Sequence, residues 1–143
     1  MKYIFCFIQL TIVYISYSQG DIKRNFESFK QGYLLSTETG RFENQSVEIS
    51  NKAYDDGLFA VFCENSSGLK SETMVSKGIA EVRVNKINGQ IKKGDPITSS
   101  TINGIGMKAT ISGTIIGFAL EELTSNEGLI KVRIQPSYYK QEK

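Results

Sequence analysis

The sequence predicts an all-β fold, a small Greek-key-like barrel or sandwich of about seven short strands, preceded by a signal peptide and a short polar arm. Two observations carry that expectation. From Gly32 onward, short apolar or alternating runs recur between clusters of Gly, Asn, Asp and Ser at intervals of roughly ten residues, the spacing of turns in sandwiches and barrels. After residue 31, no stretch holds the 3.6-residue apolar period of a helix that buries one face.

The strands follow from side-chain alternation. In Ile79 to Lys86, Ala80, Val82 and Val84 share one face and Glu81, Arg83 and Asn85 the other, so one side is expected dry and one wet. Ile87-Asn88-Gly89-Gln90-Ile91 follows, and Asn-Gly tolerates the positive φ angles of a type I′ turn, so a hairpin is expected there. Its return strand is expected to end at Lys93-Gly94-Asp95-Pro96, where Gly permits a tight turn and Pro cannot donate to a ladder. A loop with Asn103-Gly104 and Gly106 comes next. The run from Thr114 to Leu120 is short and rich in β-branched residues, which predicts a strand buried on both faces; Gly117 at its middle predicts a bulge or a close backbone approach. Alternation returns in the last strand, with Ile130, Val132 and Ile134 inward and Lys131 and Arg133 solvated. Residues 46–50 and 58–63 supply two earlier strands.

Composition narrows the function. Lys2, an apolar stretch from Tyr3 to Tyr17, and small residues at Ser16 and Ser18 form the layout of a signal peptide cleaved between Ser18 and Gln19. A membrane-spanning helix needs about 20 apolar residues, and this run is interrupted by Gln9, Thr11 and Ser16, so stable insertion after cleavage is not expected. The expected organisation is therefore 1–18 signal peptide, 19–31 polar arm, 32–135 β domain and 136–143 flexible tail, in a secreted, periplasmic or cell-surface protein. With 17 basic against 15 acidic side chains, and no basic block longer than Lys92-Lys93, charge does not draw the chain to nucleic acid. Cleavage would remove Cys6 and leave Cys63 as a lone thiol, either a small buried hydrophobe or a reactive or intermolecular group. The sequence contains no histidine, which removes Ser-His-Asp and Cys-His nucleophile activation and the His-containing zinc sites. The expectation is a protein that is not an enzyme and takes no cofactor.

Several segments match a known domain type in order and spacing. They are residues 53–62 with Asp55-Asp56-Gly57, then 65–68, 78–84, 88–100 with Gly94-Asp95-Pro96, 104–109, 115–121, and 128–134. Together they resemble the β domain often found at the C-terminal end of bacterial surface and phage fibre-like proteins. More distantly, they are similar to the autoproteolytic, intramolecular-chaperone domain of phage tail spikes. The resemblance implies a structural or assembly role, in which such domains terminate fibres or help them trimerise.

Each candidate site is weighed against an ordinary turn. Asn88, Gly89, Gly94, Asp95, Asn103, Gly104 and Gly106 are read as structural turn residues. Asp55 and Asp56 could pair as carboxylates or hold Ca²⁺, but a DDG run is a common turn former and no oxygen-rich ligand loop accompanies it. Glu121-Glu122 is read as solvated charge closing a strand. Asn65, Ser66 and Ser67 form the loop in which self-cleavage would be sought, against the simpler reading of a Ser-rich turn; 65–67 and 44–46 also fit N-glycan acceptors. Three functions follow as expectations. The first is a secreted, non-catalytic assembly or protein-interaction module whose partner is another protein or itself, as a homo-oligomer such as a trimer. The second is a carbohydrate or small-ligand binding module using Tyr33, Tyr54, Tyr138 and Tyr139 as stacking faces, and the third a self-cleaving chaperone-like domain.

Overall fold

The computed structural model describes residues 29–38, 47–64 and 73–142. Among them there is no helix, and nine strands follow one another: β1 (Leu34–Ser36), β2 (Glu48–Ile49), β3 (Leu58–Cys63), β4 (Thr73–Val75), β5 (Gly78–Asn85), β6 (Pro96–Ser99), β7 (Gly106–Lys108), β8 (Gly113–Ala119) and β9 (Glu127–Tyr139). They form a four-stranded sheet in the order β2-β1-β3-β4 and a closed barrel in the order β5-β7-β6-β8-β9. Every pairing is antiparallel except β5 with β7, which is parallel through Val84 and Gly106. The all-β architecture is that expected from the turn spacing.

The longest ladder joins the two segments with the clearest alternation. β5 and β9 pair from Gly78 opposite Ile134 to Asn85 opposite Glu127, which sets Ala80 against Val132 and Val82 against Ile130. All four side chains are buried in one core cluster. Each valine or isoleucine hidden this way contributes roughly 1.5–3 kcal/mol, and a one-residue slip would turn the whole set outward, so the register is fixed by burial. The same cluster takes Leu34, Leu58, Val61, Cys63 and Val75 from the four-stranded sheet, so the two sheets share one interior.

β3 is buried along its whole length. Val61 and Cys63 face the shared core, while Phe62 joins a second cluster with Phe29, Leu35, Phe59, Ala60 and Met74. Phe29 meets Phe62 edge to face, with centroids 5.5 Å apart. Phe59 and Ala60 enter the same cluster although adjacent. The register explains this, because Leu35 faces Ala60 but Ser36 faces Leu58, so Phe59 is the extra residue of a bulge.

Several sequence expectations need correction. The Asn88-Gly89 hairpin does not form: the chain turns one residue earlier, with Gly89 N–H donating to Lys86 O at 3.0 Å, and neither Ile87 nor Asn88 has a positive φ. Gly89 occupies the last turn position, where glycine suits an ordinary type I turn, and the following segment bypasses β5 because β9 and β7 already flank it. Pro96 opens a strand instead of ending one, as a residue without an N–H can. Gly106 is likewise no turn residue; it starts β7, opposite Ser99. The outer face of β5 is not wet, since Glu81 and Arg83 are half-buried and Asn85 is buried. The reason is that the end of the expected arm crosses it: Arg83 N–H donates to Gly32 O at 2.9 Å, and Phe29 is core.

The C-terminal tail is also shorter than expected, because β9 takes in residues 136–139. Thr114 pairs with Tyr138 and Ile115 with Ser137, whereas Gly117 pairs with Ile134, so β9 carries one extra residue in a bulge that accommodates Pro136. Gly117 sits where its backbone closes on Arg133 O and leaves no room for a Cβ. Ile115 and Ile116, on opposite faces of β8, are both buried, although Phe118 is only half-buried. Cys63 is not a lone thiol. It is fully buried and disulfide-bonded, with its partner outside the described residues, as are the signal-peptide segment and the 44–46 and 65–67 acceptor motifs.

Gly32 joins the layers. Its φ is +84°, and a Cβ there would lie 2.8 Å from Arg83 N. Gly32→Ala is therefore expected to destabilise the protein by about 1–3 kcal/mol, read as a lower urea midpoint with an unchanged slope. A midpoint equal to that of the parent would show that this seam does not hold the sheets together.

Candidate functional site

The 51–57 loop is fixed to the barrel through Ser99, which is fully buried. Ser99 Oγ donates to Lys52 O at 2.7 Å and accepts from Asp55 N–H at 2.9 Å, while Ser99 O accepts from Tyr54 N–H at 3.2 Å. At the end of the loop, Gly57 N–H donates to Asp55 Oδ1 at 2.9 Å and Leu58 N–H to Asp55 O at 3.1 Å, an Asx-stabilised turn. Thr37 N–H then donates to Gly57 O at 2.9 Å, tying the turn to the end of β1.

These contacts wall a polar cleft of about 350 Å³, with carboxylates from Glu38, Glu48, Asp55 and Asp56 and the ammonium of Lys52 on its lining. Its volume is at the lower end of the range for small-ligand sites. Asp56 is exposed, whereas Asp55 is 5% exposed. Among the described residues no group of acidic, cysteine or histidine side chains is gathered tightly enough to hold a metal ion. The two adjacent aspartates of the sequence thus lie on one cleft without converging on a point.

A second polar cluster adjoins the other side of the loop. Tyr54 has a φ of 53° and reaches to the 109–112 turn, where its hydroxyl accepts from Thr110 N–H at 2.8 Å and Ile111 N–H at 3.2 Å. Burial works against ionisation of this phenol. The Thr110 and Ile111 donors, with the Asn88 amide beside them, outweigh it and hold the group below the ordinary tyrosine value. Asn88 Nδ2 bonds Lys108 O at 2.8 Å and Thr110 Oγ1 at 2.9 Å, and Lys108 Nζ lies 3.4 Å from Asp95 Oδ2. Asp95 Oδ2 also accepts from Lys92 N–H at 2.8 Å, across a turn whose Gly94 has a φ of 94°. The structure therefore brings Tyr54, Asn88, Gly94 and Asp95 into one chain of contacts that clamps three loops.

The remaining sequence candidates lie elsewhere. Asn103 is exposed, and Gly104 packs under the Tyr33 ring, its N–H donating to Ser50 O at 2.8 Å and its carbonyl accepting from Leu34 N–H at 2.9 Å. Asn65, Ser66 and Ser67 fall outside the described residues. Of the four tyrosines considered as stacking faces, Tyr138 is 71% exposed, while Tyr33, Tyr54 and Tyr139 are half-buried, because their rings lie on neighbouring turns and strands. Sequence reasoning missed Thr37 and Ser99. The serine had a faint signal, a polar pair Ser99-Ser100 ending an apolar strand; Thr37 had none. No family model matches the chain, and no curated protein matches it.

Tyr54→Phe is expected to cost about 0.5–1.5 kcal/mol at neutral pH, since two backbone donors lose their acceptor to water. The native state favours the ionised phenol, so the stabilisation it gives is fully present above the unfolded value, about 10, and is lost as pH falls through the lower folded value. Denaturation of both proteins across the alkaline range should show the gap widening with pH. A gap that stays flat or narrows would contradict the assigned geometry.

Proposed function

We propose that this chain is an exported, non-catalytic β module that acts by associating with another protein, in the first instance with further copies of itself. One observation carries the reading. Beyond Ile134, β9 leaves β5 and continues with β8 as a two-stranded ribbon, in which Gly113 faces Tyr139 and Thr114 faces Tyr138. Tyr138 is 71% exposed, and Ile111, in the turn that opens β8, is 57% exposed. The ribbon is anchored, with Gln141 N–H donating to Ser112 Oγ at 2.9 Å and the Tyr54 ring lying against Gly113. Large side chains held in water on an ordered backbone are the material of protein interfaces, because little conformational entropy remains to be lost on binding. Where β9 parts from β5, a groove of about 580 Å³ opens along residues 76–79 and 133–136, which gives a partner strand or side chain a place beside the ribbon. The resemblance to fibre-terminal domains supports the same reading.

Light scattering coupled to size exclusion tests it on the full chain, which keeps both cysteines. The expected result is an oligomer that dissociates when Tyr138 and Ile111 are both replaced by serine, with the fold retained by circular dichroism. A monomer at every concentration, together with no cross-linked partner from the cell envelope, would rule the reading out.

A further inference from the structure

An open strand edge is a template for another chain, and natural sheets shorten, cover or charge such edges. Among the described residues, the strands of the barrel flank one another in a closed ring, and the outer strands of the four-stranded sheet, β2 and β4, have only two and three residues. β9 is the exception. It runs for 13 residues, of which β5 pairs with 127–134. Past Ile134 its main chain has β8 on one side and, among the described residues, no strand on the other. The two strands of this ribbon also differ in cover: Gly113 and Thr114 are half-buried and Ile115 is buried, whereas Ser137 and Tyr138 are exposed.

The vacant slot lies in line with β5. Because β5 holds that side of β9 from Gly78, opposite Ile134, a strand added along residues 135–139 has to stop where β5 begins. At that point the groove of about 580 Å³ opens, and the charged residues on its lining are Lys77 and Arg133, with no carboxylate beside them. Ile79, Ile134 and Pro136 give it an apolar part. Direction then follows from charge. A strand antiparallel to β9, as both of its present neighbours are, meets the groove with its C-terminal end. A parallel one would bring a terminal ammonium against two cations.

We propose that the free edge of β9 takes up the C-terminal segment of another protein chain as an added antiparallel strand, whose terminal carboxylate enters the groove lined by Lys77 and Arg133. Main-chain bonds along the edge supply affinity and the carboxylate fixes the register, with the guanidinium as a forked donor. Pro136 offers no N–H, so the ladder rests on residues 137–139. The inference rests on the reading above only in taking the ribbon as a protein-binding surface.

Fluorescence anisotropy of the full chain with a fluorescein-labelled hexapeptide of alternating threonine and valine tests this. Expected is saturable binding of the free acid, with the C-terminal amide weaker by about tenfold, the scale of one charge-assisted contact. Arg133→Gln changes an exposed side chain, so the fold is kept, and it should remove most of that preference. An antiparallel ladder uses every second N–H of the added strand. Of two peptides N-methylated at alternate residues in opposite phase, one should therefore bind like the parent and the other should not bind. The proposal is overturned by no binding of the acid, by equal binding of acid and amide, or by a preference that survives Arg133→Gln. Equal binding of the two N-methylated phases, or an amidated peptide with glutamate in last place that matches the acid, overturns it as well. Self-association is read separately by light scattering: an oligomer that binds no peptide refutes the added strand alone, and a monomer that binds it refutes self-association alone.

Discussion

One glycine's backbone joins the two layers. Gly32 N–H donates to Phe62 O in the four-stranded sheet, and Gly32 O accepts from Arg83 N–H in the barrel, both at 2.9 Å. Sheets packed only through side chains stand about 10 Å apart, so a main-chain bridge requires the crossing segment to be thin where it passes β5. Leu129 Cδ2 and Arg83 N already occupy the space that a Cβ would fill. From that contact the rest follows. With the crossing segment seated there, Leu34 points into the shared core beside Val61 and Leu58, and Phe29 is carried to the far cluster against Phe62.

The barrel was legible in the sequence where burial is one-sided and local. β5 and β9 alternate because each keeps its inner residues dry, and that period is written in consecutive side chains. The Gly117 expectation succeeded for a similar reason: a glycine inside a β-branched run has little to gain there unless another backbone approaches, and Arg133 O does. The failures have one cause, which is that pairing partners are chosen over long sequence separations. Asn88-Gly89 has the composition of a tight hairpin, yet β5 gains more from a full ladder with β9 than from the few residues following the turn. Asn88 then uses its amide on Lys108 O and Thr110 Oγ1. Likewise, nothing in residues 29–31 announces that their neighbour Gly32 bonds to strands thirty and fifty residues away.

The polar loops were legible as turns but not as a site. Asp55-Asp56-Gly57 reads as a chain reversal from composition, and its Asx bond to Gly57 N–H is a local event. That Ser99 supplies the floor of the same loop could not be read locally, because a buried serine in a strand resembles any small residue until its partners, Lys52 O and Asp55 N–H, are brought across the core. Thr37 is still less visible, since what marks it is the absence of a partner in three dimensions.

The arrangement separates rigidity from recognition. Around the cleft the backbone groups of the Asp55 turn are bonded to each other, to Ser99 or to the end of β1, so the loop has little freedom left to lose when a ligand arrives. The side chains on its rim, by contrast, keep their charges in contact with water. A frame built this way has little ordering entropy to lose, so the exposed side chains on its rim, and not the loop backbone, decide what it can contact.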